Sequence, residues 1–186
     1  MECKYLSKIV DELQTFASKV QEEEVKNVCD EILKANRIFI AGAGRSGFAA
    51  RAFANRLLHL GFAVSFVGEP TTPPIKKGDL LLIGSGSGTT GSLVSMVQKA
   101  VNQNATIVTI TISPENTIGS MSKAYITIPG TTRQLVGDKT ENSSIQPIGS
   151  VFEQLSWLVY DSLVMMLLEK TNQCFEDLLS RHANLE

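Results

Sequence analysis

Residues 37–60 read RIFIAGAGRSGFAARAFANRLLHL, and this stretch decides the fold. The apolar run Arg37 to Ala41 has the length and bulk of a buried strand. It passes directly into Gly42-Ala43-Gly44-Arg45-Ser46-Gly47, after which Ser46 to Leu60 repeats apolar residues at helical spacing. Residues 80–91, LLLIGSGSGTTG, repeat the unit: a strand over Leu80 to Ile83, a glycine-rich loop, then a helix over Gly88 to Val101. Further short apolar runs fall at Phe62 to Val67, Thr106 to Ile112 and Tyr125 to Ile128. Strands alternating with helices in this way predict an α/β fold, a parallel sheet carrying helices on its faces.

Outward from that core the pattern is helical. Leu6, Ile9, Val10, Leu13, Phe16, Ala17 and Val20 lie on one helical face between Lys4 and Val20. A second helix is predicted from Glu22, its acidic run Glu22-Glu23-Glu24 suiting a positive helix start. The connection Pro129 to Ile148 is polar and too long for a passive link, which points to a functional loop over a site. From Val151 to Lys170 the chain is apolar around most of a helix, so that helix should be buried on nearly every side. Contact with partner subunits would achieve this, as would core packing within one chain. With 186 residues, a single domain is expected: N-terminal helices over 1–36, an α/β core over 37–130, a loop over 131–150, and C-terminal helices and tail over 151–186.

Composition narrows the function. Seventeen basic against nineteen acidic residues leave a net charge of -2, which supplies no cationic footprint for nucleic acid. Three widely spaced cysteines, Cys3, Cys29 and Cys174, suit neither a disulfide framework nor a paired-cysteine zinc site. The N-terminus lacks the pattern of a signal peptide, and Asp161 interrupts the best candidate for a membrane span. A cytoplasmic protein with no membrane or nucleic-acid partner is expected.

The two loops carry the chemistry. Gly42 to Gly47 matches the dinucleotide fingerprint G-x-G-x-x-G in its strand-loop-helix context, and Glu69 follows the next strand, where it could hold a ribose. A nicotinamide-dependent enzyme is therefore a rival reading. The second loop, Gly84-Ser85-Gly86-Ser87-Gly88-Thr89-Thr90, adds hydroxyls at a helix start, a combination suited to a small phosphate ester. Plain turn and cap chemistry is the alternative for either loop.

Taken together, AGAGRSGFAARAFANRLLHLGF, VGE, GDLLLIGSGSGTTGSLV, QPIGSVFEQ and the terminal HANLE resemble the 6-phospho-3-hexuloisomerases, a family of the sugar isomerase (SIS) domain superfamily. The resemblance runs over essentially the whole chain. It implies a three-layer sandwich around a five-stranded parallel sheet, assembled as a homotetramer. It also implies conversion of D-arabino-hex-3-ulose 6-phosphate to fructose 6-phosphate, in the ribulose monophosphate pathway of formaldehyde fixation, without a cofactor. An arabinose 5-phosphate type isomerase and a non-catalytic sugar-phosphate-binding regulator are the alternatives. By motif, Ser46, Ser85, Ser87 and Thr90 match phosphate-binding positions, with Gly86 and Gly88 between them. Thr89 stands where relatives usually carry Glu.

Moving a carbonyl between adjacent carbons requires one group that removes and returns a proton, and a single carboxylate can do both through a cis-enediolate. Glu153 is the candidate. Ser150-x-x-Glu153 also has capping-box spacing, in which the carboxylate would only tie down a helix start; the family's matching segment favours the base. Glu69 is the second candidate, and Arg45 could neutralise phosphate or enediolate charge. His182, in the tail, is expected to reach a neighbouring subunit's site; His59 lies among apolar residues and reads as structural or as a secondary site residue. Two histidines are too few for a zinc-type relative, so no metal is expected.

Overall fold

The structure, a computed structural model, describes residues 3–131 and 144–185. Two helices, α1 (Lys4–Ala17) and α2 (Glu22–Lys34), precede β1 (Ile38–Gly42), α3 (Gly44–His59), β2 (Val64–Phe66), β3 (Leu80–Gly84), α4 (Gly91–Asn102), β4 (Thr106–Thr111) and β5 (Ala124–Thr127). The chain ends with α5 (Ser150–Thr171) and α6 (Phe175–Ser180). All five strands are parallel, in the order β2-β1-β3-β4-β5. Alternate strand residues serve two apolar layers. Ile38, Ile40, Leu80 and Leu82 pack beneath α2, α3 and α5, whereas Phe39, Ala41, Leu81 and Ile83 pack beneath Leu93 and Val97 of α4.

This is the α/β sandwich the sequence predicts, with shifted boundaries. β2 is shorter than the run Phe62 to Val67 because the Phe62 N–H closes the end of α3 on the Leu57 carbonyl (3.0 Å). α4 starts at Gly91 instead of Gly88, since Gly88 has φ +59 and belongs to the loop. Residues 132–143, most of the expected functional loop, lie outside the described residues.

Within the single chain α5 is buried on part of its circumference. Its length and composition would suit a membrane span, Asp161 notwithstanding, yet it packs on α2 and α3, burying Phe152, Leu155, Leu163 and Leu167. It is not covered on every side: Trp157, Leu158 and Met165 are about half exposed on the single chain.

Order 2-1-3-4-5 has its winding reversal between β1 and β3, and ligands of doubly wound sheets bind beyond the strand ends at such a point. Gly42 at the end of β1 pairs with Gly84 at the end of β3, so both glycine loops leave the sheet side by side.

Candidate active site

Beyond those strand ends lies a crevice of about 200 Å³. The first loop explains its own glycines without a dinucleotide. A Cβ on Gly42 would lie 2.9 Å from the Gly47 Cα, and one on Gly47 would lie 2.7 Å from the Gly42 oxygen. These two positions let α3 start directly against β1, while Gly44, at φ +57, makes the bend.

The second loop is built from within. Ser85 is buried, and its Oγ accepts the Gly88 N–H (3.2 Å); the Ser87 Oγ accepts the Thr89 N–H (3.4 Å). A hydroxyl that accepts from the backbone keeps its own proton to donate, so both can still bind an anion. Thr90 is the N-cap of α4 and makes no side-chain cap bond. Ala43 and Gly149 are the N-caps of α3 and α5, likewise without side-chain caps, and all three N-caps line the crevice. Three helix starts that no side chain caps therefore converge on one space, a positive field for a dianion.

Ser46, Ser85, Gly86, Ser87, Thr90 and Glu153 share this crevice, with Phe152 and Ile112 as apolar walls. Gly88 and Thr89 belong to the loop behind it, and Thr89 is exposed. The capping box does not form. Gly149, at φ +88, takes the N-cap position, Ser150 is the first helical residue, and the Glu153 carboxylate turns to the Arg45 guanidinium. That contact, a hydrogen bond first and charge attraction second, raises the Arg45 pKa. Arg45 is otherwise exposed and lies with Glu153 along an adjoining recess that includes Phe48 and Trp157.

The remaining candidates are elsewhere. Glu69 accepts from Arg51 (2.6 Å) in a separate surface recess. His59 is buried at the far end of α3, its pKa lowered by burial, then by His182 and Arg56. The His182 ring lies against it, with centroids 4.9 Å apart, and not in this chain's crevice. No cluster of three or more His, Cys, Asp or Glu side chains able to hold a metal occurs among the described residues.

Sequence reasoning missed Thr111 and Asn116. The Asn116 amide donates to Thr111 Oγ1 and its carbonyl accepts the Gly119 N–H, both at 2.7 Å. A Cβ on Gly88 would sit 2.0 Å from the Asn116 side chain, so this asparagine is the wall that shapes the second glycine loop. Its only sequence signal, a turn after a strand, is common to ordinary loops.

Comparison with known proteins agrees with the fold. The SIS domain family model matches residues 31–145. The 3-hexulose-6-phosphate isomerase of Bacillus subtilis is 42% identical over 98% of this chain and 97% of its own length. The chain belongs to the SIS-domain sugar isomerase family. Within it, the Mycobacterium gastri 3-hexulose-6-phosphate isomerase is 39% identical over 97% of this chain and 89% of its own. A Methanococcus jannaschii crystal structure, from which a 3-hexulose-6-phosphate isomerase function was inferred, has a TM-score of 0.81 at 32% identity. It covers 99% of this chain and 100% of that one.

Proposed function

We propose that this SIS-domain chain interconverts D-arabino-hex-3-ulose 6-phosphate and fructose 6-phosphate. The observation that carries the reading is the Glu153 carboxylate, uncommitted to capping and facing the same crevice as the hydroxyl-lined loop. Ser46, Ser85, Ser87, Thr90 and the three helix starts hold the phosphate. Glu153 removes the proton from C2, the electrons pass to the C3 oxygen, and a cis-enediolate forms. The O2 proton then moves to O3, and Glu153 returns its proton to C3, leaving the carbonyl at C2. Arg45 balances the negative charge of base and enediolate in turn. The names of the full-length relatives support this substrate over the arabinose 5-phosphate alternative.

The protein would act as a cytoplasmic homotetramer, its subunits covering the half-exposed Trp157 and Leu158 and the exposed Phe48 beside the crevice. In that assembly His182 would enter a neighbour's crevice and hydrogen-bond a substrate oxygen.

The deciding experiment couples formaldehyde, ribulose 5-phosphate and a hexulose-phosphate synthase to detection of fructose 6-phosphate. Sugar-phosphate binding without turnover would instead point to a sensor. Replacing Ser85, Ser87 or Thr90 by Ala removes a hydrogen bond to a charged group, worth about 1.5–3 kcal/mol. Each variant should raise KM roughly tenfold or more with kcat nearly kept, since the phosphate is held throughout the reaction. Steady-state kinetics on the three variants checks this, and three unchanged KM values would exclude the cradle.

A further inference from the structure

We propose that Glu12, on α1, is a positioning residue for this reaction: it fixes the arm of chain that forms one wall of the crevice. The inference rests on the isomerase reading above. The Glu12 Oε1 accepts the Ile145 N–H (2.8 Å), and its Oε2 accepts from the Ser144 hydroxyl (3.1 Å) and the Gln146 Nε2 (2.8 Å). The relay continues, for the Gln146 Oε1 accepts from the Gln154 Nε2 (3.0 Å), and Gln154 is the neighbour of Glu153 on α5. The Ser144 Oγ in turn accepts the Gln146 N–H (2.9 Å), and the Pro147 carbonyl accepts the Ser150 N–H (3.1 Å). Ile148 and Gly149, which line the crevice, are thus held between the Glu12 clamp and the first turn of α5.

Apolar burial does not place this arm. Ile145 is 66% exposed and Ile148 54% exposed, so the polar clamp is what sets its path. Three donors converging on one group require an acceptor-only side chain, which a carboxylate is and an amide is not. Glu12 is itself half-buried on the surface of α1, so the global fold depends little on it, while the setting of the α5 start depends on it strongly.

The test compares Glu12→Gln, Glu12→Ala, Gln146→Ala and the Glu12→Ala/Gln146→Ala double variant. The hydroxyls of the phosphate cradle lie on the loops after β1 and β3, and the α5 start adds Glu153 to its share of the cradle, so the loss should fall mainly on kcat, roughly 10- to 100-fold in Glu12→Ala, with a smaller rise in KM. Glu12→Gln should resemble Glu12→Ala, because its NH2 faces donors. The double variant should lose no more than the worse single variant, as expected of residues in one relay. Melting temperatures should stay close to the parent value. An unchanged kcat, a loss confined to KM, additive losses, or a loss explained by unfolding would each overturn the inference. An inactive parent protein would sink the isomerase reading by itself. The inference would then be decided by the fluorescence of Trp157, one helical turn from Glu153, during titration with fructose 6-phosphate. A response altered by Glu12→Ala would uphold it, and an identical response would overturn it.

Discussion

Glu153→Gln should lower kcat by roughly 10²- to 10⁴-fold, the range spanned by a positioned general acid-base. The amide keeps the size of the side chain and can still accept a hydrogen bond, but it cannot take a proton from carbon. Exchange of the substrate C–H proton with solvent should fall in parallel, which separates loss of the base from loss of product release. Melting should change little, because the carboxylate is not part of a cap: Gly149 occupies the N-cap position and makes no side-chain cap bond. Glu153 pairs instead with Arg45, whose side chain is two-thirds exposed, and such contacts add little to stability. Near-normal turnover with early melting would restore the capping role to Glu153 and remove it from the mechanism. Glu69 could not simply take its place, since it is paired with Arg51 in a different recess.

The parts of this molecule that were legible in sequence are those where one residue type has one physical use. Ile38 to Ala41 and Leu80 to Ile83 are buried on both faces, so they read as unbroken apolar runs ending in glycine, and both strands lie where those runs predict. The place of the second loop's hydroxyls was legible for a similar reason, because serine and threonine between glycines directly after a buried strand fall at the sheet edge where the crevice opens. The capping box failed because spacing alone cannot show that Gly149 would adopt φ +88 and take the cap position itself. Glu12 and Asn116 were illegible for a different reason. Each acts on chain distant in sequence or through a turn of common composition, and nothing in a helix pattern marks which glutamate will meet residues 144–146. The covering of Trp157 and Leu158 is a matter of association, which periodicity signals only as excess apolar surface.

Deleting everything after Leu179 should abolish activity without dissociating the oligomer, and the lost activity should be recoverable in hybrids. The tail is fixed at the wrong end of its own subunit for catalysis there. Arg181 Nη1 donates to the His59 carbonyl (3.0 Å) and to the Gln173 Oε1 (2.8 Å), and the His182 ring lies on His59. His59 closes α3 whereas Ser46 opens it, so at about 1.5 Å per residue the two ends are roughly 20 Å apart. From that place His182 does not reach its own subunit's crevice, so a catalytic part for it would require a neighbour's. The exposed Trp157 and Leu158 on α5 would remain to hold the truncated subunits together. Mixing the truncated chain with full-length Glu153→Gln under subunit exchange supplies the discriminating test. A hybrid pairs an intact base on one chain with an intact tail on the other, so some crevices regain both groups and part of the activity returns. If hybrids form, as shown by native mass spectrometry, and activity stays absent, the tail lies outside the neighbour's site and the shared-site proposal fails. If the truncated chain is active by itself, His182 has no catalytic part, and its contact with His59 is a docking contact that ties the tail to the end of α3.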